Sequence, residues 1–140
     1  MPQINYLAVF LAAVAAMAVG SLWYSLKSPT GKIWLKELGF KEPTAEEQKK
    51  MASAMMKSMS IYFIGVMITM YVYFHMLATY QTVTYSMALQ GAFWTWLGFF
   101  AAPGMSPVVF ERKSWKLFAV NQSYNLVLLI IAALIFVAMG

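Results

Sequence analysis

Few residues in this sequence have side chains suited to catalysis or to metal binding. The 140 residues contain no cysteine, no aspartate and a single histidine, His75. The missing thiols exclude disulfide and thiolate chemistry, and one histidine cannot build a multi-histidine metal site. The five glutamates all lie in two charged segments, 27–57 and 111–116. The sequence therefore implies no cofactor and no metal, and it argues against an enzyme.

His75 has two interpretations. A haem or pigment ligand is conceivable if two chains each supply one histidine. The alternative, which we favour, is a histidine hydrogen-bonded within an aromatic belt with Tyr6, Tyr80 and Tyr85 at the outer face of a membrane. We favour it because the chain offers no second ligand.

A cluster of polar side chains lies inside an otherwise apolar run near the C-terminus. The cluster comprises Asn121, Gln122, Tyr124 and Asn125. Amides facing lipid are costly, so this face is expected to point into a helix bundle or a wet cavity. We favour hydrogen bonds between helices. The alternative is a polar cavity in a small transporter or channel for a neutral or polar solute, lined also by Thr95.

Composition assigns the chain to the integral membrane proteins. Apolar residues make up 61% of the sequence and charged residues 11%, whereas soluble domains carry roughly a quarter charged residues. A soluble domain of this size cannot bury so much apolar surface. These values exclude a soluble enzyme and, despite the net charge of +5, a nucleic-acid-binding domain.

Four uncharged runs predict four transmembrane helices in a single domain over residues 1–140. The predicted spans are about 4–26, 58–78, 84–102 and 117–139. Each is close to the ~20 residues needed to cross the hydrocarbon core. The predicted fold is an all-α integral membrane protein, a four-transmembrane-helix bundle. All basic residues lie in 27–57 and 111–116, so the positive-inside rule places both segments in the cytoplasm and both termini outside.

The segment between the first two spans contains two further helical signals. A turn signal at 28–31 precedes Trp34, Leu35 and Leu38, which can share one face of a short helix lying on the inner leaflet. Further on, 43–47 has the pattern of a capping box, so the second helix is expected to extend from about 45. Its methionines at spacing four can bind a partner helix or, as we favour, pack on neighbouring helices. They are Met51, Met55 and Met59.

Small residues recur at helical spacing in two spans, where they predict close helix packing. In the first span they are Ala8, Ala12, Ala16 and Gly20. In the third they are Gly91, Thr95, Gly98 and Ala102. Spacing alone leaves open whether these faces meet within one chain or between chains.

Several stretches together resemble a family of small bacterial membrane proteins. The first span opens with Asn5-Tyr6-Leu7-Ala8-Val9 and closes with Gly20-Ser21-Leu22-Trp23-Tyr24-Ser25. Gly31-Lys32-Ile33-Trp34, Trp96-Leu97-Gly98-Phe99, Glu111-Arg112-Lys113-Ser114-Trp115-Lys116-Leu117-Phe118, Asn121 and Tyr124 follow in order. This pattern resembles the four-span family catalogued as domain of unknown function seventeen sixty-one. The resemblance implies the fold and a bacterial inner-membrane location, and it carries over no functional residue.

The leading functional hypothesis is a non-enzymatic membrane protein that acts by helix–helix association. It would be a homo-oligomer or an accessory subunit of a membrane complex, because the packing surfaces are ample and no catalytic constellation is recognisable. Transport of a small solute and cofactor binding through His75 are the alternatives.

Overall fold

The computed structural model describes residues 3–25, 27–39 and 44–139. The helices within these residues are α1 (Tyr6–Trp23), α2 (Pro29–Glu37), α3 (Ala45–Thr79), α4 (Tyr85–Trp96), α5 (Ser106–Phe110) and α6 (Trp115–Met139). No strand forms in the described part of the chain. Leu26, the last residue of the predicted first span, and Pro43, the first of the predicted capping segment, lie outside it.

Within the described residues, four helical stretches are long and apolar enough to cross a membrane. They are Tyr6–Trp23, Ser53–Thr79, Tyr85–Phe110 and Trp115–Met139. The prediction of an all-α, four-span membrane fold with a short helix in the first loop is confirmed.

The second span belongs to a helix that begins well before the membrane-spanning stretch. Thr44 accepts a hydrogen bond from the backbone N–H of Glu47 at 3.3 Å, and the Glu47 carboxylate accepts from the Thr44 N–H at 3.4 Å. This reciprocal pair is a capping box, which satisfies two backbone donors that a helix start leaves unpaired. α3 then continues for 35 residues.

α2 begins earlier than a turn at 28–31 implies. Ser28 caps the helix by accepting from the Gly31 N–H at 3.0 Å, and Pro29 is the first helical residue. Proline suits this position because its missing N–H would have no helical partner there. The residues that look like a turn are therefore the cap and first turn of the helix.

The third span stays helical past residue 102, where the prediction ends it. α4 passes into a wider π-turn at Leu97–Ala101, closed by the Ala102 N–H donating to the Leu97 carbonyl at 3.1 Å. A proline in a regular helix clashes with the carbonyl four residues before it. The wider turn stands directly before Pro103 and accommodates that ring. A short 3-10 turn at Pro103–Met105 and α5 continue the span.

α6 is the centre of the bundle and contacts α1, α2, α3 and α4. Asn5 donates from its amide to the Met139 carbonyl at 3.1 Å, whereas Trp23 donates from its indole to the Val120 carbonyl at 3.0 Å. α1 and α6 therefore run antiparallel. We call the end where α1 ends and α6 begins the basic end, because both charged segments adjoin it in the chain, and the opposite end the far end.

The small residues of α1 pack within the chain. Ala8, Ala12 and Ala16 are all fully buried, and α1 contacts both α3 and α6. Alanine lets the backbones approach closely, which is how helices associate in lipid. In α4 the fully buried small residues are Ala88 and Ala92.

Candidate functional site

A pocket of about 500 Å³ lies among α1, α2, α3 and α6 at the basic end. Its lining residues are Met17, Gly20, Ser21, Tyr24, Trp34, Met55, Met59, Tyr62, Asn121 and Tyr124. Ligand pockets typically measure ~300–1,000 Å³ and combine an apolar wall with a few convergent polar groups. This one has methionine and aromatic walls together with three tyrosine hydroxyls and one amide.

The end of α1 and the start of α2 fix one wall of the pocket. Ser28 donates from its hydroxyl to the Trp23 carbonyl at 3.1 Å, and the Thr30 hydroxyl donates to the same carbonyl. Gly31 lies so close to Ser25 that any Cβ at this position would run into the Ser25 carbonyl. These contacts fold α2 back onto the end of α1.

This fold-back brings Trp34 to the pocket. The Trp34 ring meets the Tyr24 ring edge to face, with centroids 5.4 Å apart. Trp34 is thereby set against a residue of the preceding helix, although ten positions separate the two in the chain.

Two tyrosines at the pocket are held by hydrogen bonds between helices. Tyr24 donates from its hydroxyl to the Asn121 side-chain oxygen at 2.7 Å, and Tyr124 donates to the Ala16 carbonyl at 2.7 Å. The two tyrosine rings meet edge to face at 5.6 Å. Gly20 leaves room for this arrangement, since a Cβ there would lie 2.7 Å from the Tyr124 hydroxyl oxygen.

The pocket retains unused hydrogen-bond donors. Asn121 accepts from Tyr24 through its oxygen, and within the described chain its amide N–H groups have no acceptor. The Trp34 indole N–H has no acceptor in that part of the chain either. Amide and indole N–H groups need oxygen or nitrogen acceptors. The geometry therefore suits a molecule whose polar end carries acceptors and whose body is apolar.

The residues that line this pocket include many that carry the family resemblance. They are Gly20, Ser21, Tyr24, Trp34, Asn121 and Tyr124. A family comparison agrees with that resemblance over residues 7–137. The chain belongs to the family described as "Protein of unknown function (DUF1761)". No curated protein and no solved structure matches it.

In this DUF1761 chain, the five residues predicted to line one polar cavity occupy three places. Asn121 and Tyr124 line the pocket. Asn125 donates from its amide to the Gln122 side-chain oxygen at 3.3 Å, and the Gln122 amide lies against Gly104. Thr95 lines two cavities between α3 and α4. Asn121 and Gln122 do not share one face of α6, because the side chains of consecutive helical residues point about 100° apart.

The glycines of the predicted packing faces have different surroundings. Gly20 faces Tyr124, whereas a Cβ at Gly91 would lie 3.9 Å from the Leu77 side chain. Gly98 is exposed, and apart from its chain neighbours and its own helix backbone no described atom lies within 4 Å of the position of its Cβ.

His75 lies away from the pocket, near the far end of α3. Its ring meets the Tyr71 ring edge to face at 4.6 Å, and Tyr71 stacks on Tyr6. Its Nε2 atom is buried without a hydrogen-bond partner among the described residues. No group of three or more metal-binding side chains occurs in the described part of this family member.

Sequence reasoning did not assign several pocket residues to a site. The sequence predicts no site role for Ser21, Met17 and Tyr62, and it favours an anchoring or packing role for Trp34, Met55 and Met59. On α3 the spacing of Met55, Met59 and Tyr62 is a helical face, which is a usable signal. That signal does not reveal that the face meets Tyr24 of α1 and Tyr124 of α6.

Proposed function

We propose that this membrane protein binds a small amphipathic molecule in the basic-end pocket and acts by binding rather than by catalysis. One observation carries the proposal: Asn121 and Trp34, whose side-chain N–H groups have no acceptor among the described residues, both line a cavity with methionine and aromatic walls. The ligand's polar end would accept hydrogen bonds from these donors, and its apolar part would lie against Met17, Met55 and Met59.

The basic segments at this end of the bundle favour a ligand with an anionic polar end. All ten lysine and arginine residues of the chain lie in the two segments that adjoin the basic end, with five glutamates among them. Clustered basic residues beside a membrane attract anionic lipid headgroups. A phosphate or carboxylate group would also supply the acceptors that the pocket donors lack. The proposed ligand class is therefore an anionic, single-chain amphiphile.

Binding of lysophosphatidylglycerol to the purified chain in nanodiscs tests this proposal. We expect saturable binding that is stronger than binding of lysophosphatidylcholine, whose headgroup has no net charge. Asn121→Leu should weaken binding about tenfold, since it removes the amide donors. Asn125→Leu is the matched control, because Asn125 lies outside the pocket lining and should leave the affinity unchanged.

Trp34→Phe keeps an aromatic ring at the pocket and removes the indole N–H together with part of the ring surface, so the ligand loses a donor while the wall stays aromatic. We expect a loss of about fivefold, which corresponds to one hydrogen bond. Equal binding of both lipids, or full affinity in Asn121→Leu and Trp34→Phe, would refute the proposal.

We propose that the protein lies in the inner membrane of a bacterium. Its basic end would face the cytoplasm, and both termini would lie outside. The positive-inside rule supports this orientation. The natural chain has no cysteine, so single cysteines introduced at Gln81 and Lys113 report sidedness without background. In intact cells a membrane-impermeant maleimide should label Gln81→Cys and spare Lys113→Cys. The reverse pattern would invert the proposed orientation.

Association into a homo-oligomer or with another membrane subunit is a second proposal. It is supported by the exposed methionines at the start of α3, Met51, Met55 and Met56. Methionine-rich helix faces suit partner helices. The α1 alanines give no support, because they are already buried within one chain. Crosslinking in native membranes through a benzophenone residue at Met56 tests this proposal, and a product of monomer mass alone would contradict it.

The remaining functional hypotheses have less support. A solute path would need Thr95, Gln122 and Asn125 beside Asn121, whereas these side chains line separate places. Cofactor binding through His75 depends on a second chain that supplies the other ligand. We rank both below ligand binding in the pocket.

A further inference from the structure

A cleft separates α3 from α4 although these helices are consecutive in the chain. Two cavities, of about 260 and 400 Å³, lie along it. Tyr73, Met76 and Thr95 line both cavities, so the two cavities adjoin each other along the cleft. Both helices contact α6, and Leu129 of α6 lies at the bottom of the larger cavity. This cleft is distinct from the basic-end pocket and shares no lining residue with it.

Tyr73 points an unpaired hydroxyl into this cleft. The side chain is only 4% exposed, and its hydroxyl oxygen is buried without a hydrogen-bond partner among the described residues. Thr95 on α4 is close enough for a weak hydrogen-bond interaction with this hydroxyl, but the pair does not meet the geometry of a full hydrogen bond. Buried polar groups in proteins are nearly always paired. A single acceptor oxygen between Tyr73 and Thr95 would accept a bond from each.

The depth of Tyr73 and Thr95 in the membrane limits which molecules can supply the acceptor oxygen. Tyr73 stands six residues before Thr79, the end of α3, and Thr95 stands ten residues after Tyr85, the start of α4. At ~1.5 Å per residue these positions lie about 9 and 15 Å from the far end. The headgroup layer of a bilayer is only ~5–7 Å thick on each side, so phospholipid ester groups lie closer to the surface than Thr95. At this depth a phospholipid presents only its hydrocarbon chains, which accept no hydrogen bond.

The walls of the cleft indicate the shape of the occupant. Phe99 and Phe100 line the larger cavity together with Tyr73, so the cavity that Tyr73 lines also has aromatic walls. Aromatic side chains pack favourably against flat rings. We propose that the α3–α4 cleft binds a lipid-soluble carbonyl compound with a flat ring, whose oxygen accepts hydrogen bonds from Tyr73 and Thr95.

Titration with 2,3-dimethyl-1,4-naphthoquinone, with the full chain in nanodiscs, tests this site. The matched control ligand is 2,3-dimethylnaphthalene, which has the same flat ring system without the carbonyl oxygens. We expect saturable quinone binding at least tenfold stronger than binding of the hydrocarbon. Tyr73→Phe and Thr95→Val should each weaken quinone binding about five- to tenfold, because each removes one donor and keeps the shape of the side chain.

Tyr71→Phe is the control variant, since Tyr71 is an α3 tyrosine that contacts Tyr6 and His75 instead of the cleft. It should bind the quinone with unchanged affinity. Asn121→Leu should also leave quinone binding unchanged. The proposal for the cleft can therefore fail or succeed independently of the proposal for the basic-end pocket. The thermal unfolding midpoint of each variant shows that it is folded.

Three results would overturn the inference. One is equal affinity for the quinone and the hydrocarbon, and another is full quinone affinity in both Tyr73→Phe and Thr95→Val. The third is occupation of the cleft by something else: a phospholipid chain detected by quenching with brominated lipid, or a second copy detected by crosslinking through a photoreactive residue at Phe99.

Discussion

α3 is joined to its neighbours in two different ways. Against α1 it packs directly, and the fully buried Ala8, Ala12 and Ala16 let α1 approach both α3 and α6. Against α4 it leaves a cleft, because α4 packs on α6 through Ala88 and Ala92. At these alanines the α1–α3 interface is closed by the chain itself, and it opens at the basic-end pocket. The α3–α4 interface has space that side chains of the described chain do not fill.

The same contrast holds for the tyrosine hydroxyls of the two regions. Near the end of α1, the hydroxyls of Tyr24 and Tyr124 donate to acceptors on other helices. In the cleft, the Tyr73 hydroxyl has no partner among the described residues. A satisfied hydroxyl stabilises the fold, but an unsatisfied buried one costs free energy that a ligand can recover. The comparison teaches that residue type alone does not distinguish a structural tyrosine from a ligand-binding one.

The largest expected effect comes from the junction of α1 and α2. Gly31→Val places a side chain against the Ser25 carbonyl, so α2 must move away from α1. We expect the free energy of unfolding in mixed detergent micelles to fall by about 3 kcal/mol or more. Gly98→Val is the matched control on the cleft side, where the space beside the glycine is open. A comparable loss of unfolding free energy in both variants would contradict the contrast between the tightly packed α1–α2 junction and the open space beside Gly98.

A second test enlarges a small residue in each region. Ala12→Leu should lower the free energy of unfolding by about 1–3 kcal/mol, since Ala12 is fully buried where α1 packs against neighbouring helices. Ala102→Leu should change it by less than about 0.5 kcal/mol, because Ala102 is exposed. If Ala12→Leu were tolerated, the close contact of α1 with α3 and α6 would be wrong. Chemical unfolding of both variants provides the measurement.

A third test concerns the hydrogen bond that joins α4 to α6 beside the open cleft. Trp96 donates from its indole to the Gln122 carbonyl at 2.7 Å, whereas Trp94 is 64% exposed. Trp96→Phe should destabilise the protein by about 0.6–1.5 kcal/mol, which is typical of a hydrogen bond between membrane helices. Trp94→Phe should have no measurable effect. Equal unfolding midpoints for the two variants would show that α4 does not depend on this bond.

The smallest expected effect distinguishes the two kinds of tyrosine. Tyr24→Phe breaks the bond to Asn121 and should cost about 0.6 kcal/mol. Tyr73→Phe removes an unpaired hydroxyl and should be neutral or slightly stabilising in the absence of ligand. Unfolding curves recorded side by side measure the difference. A loss for Tyr73→Phe as large as that for Tyr24→Phe would mean that the Tyr73 hydroxyl has a partner in the free protein.

The fold class was predictable from sequence because charge and hydropathy act over whole segments. Uncharged runs of about 20 residues and a capping pattern at Thr44 are local features, and the four-span, all-helical fold is confirmed. The family resemblance is confirmed as well. Local patterning was insufficient at the third span, which continues through Pro103 because a π-turn precedes that residue.

The candidate site was predictable only in part. Asn121 and Tyr124 were identified as polar groups in an apolar run, and both line the pocket. Their sequence neighbours Gln122 and Asn125 bond to each other elsewhere, since each residue along a helix turns by about 100°. The helical spacing at Tyr62 and Trp34 shows only which face of its helix each residue is on. It does not show that these faces meet at the pocket, because the facing residues lie far away in the chain.

The sequence by itself determined that this chain is a four-span helical membrane protein with its basic residues in two segments at one end of the bundle. Only the tertiary structure decided which small residues meet, which hydroxyls find acceptors and where space remains. The physical reason is that hydropathy and helix caps are read along the chain within a few turns. Pairing and cavities depend instead on how α1, α3 and α4 each approach α6, and the bonded residues are 97 positions apart between the end of α1 and α6 and 26 positions apart between α4 and α6.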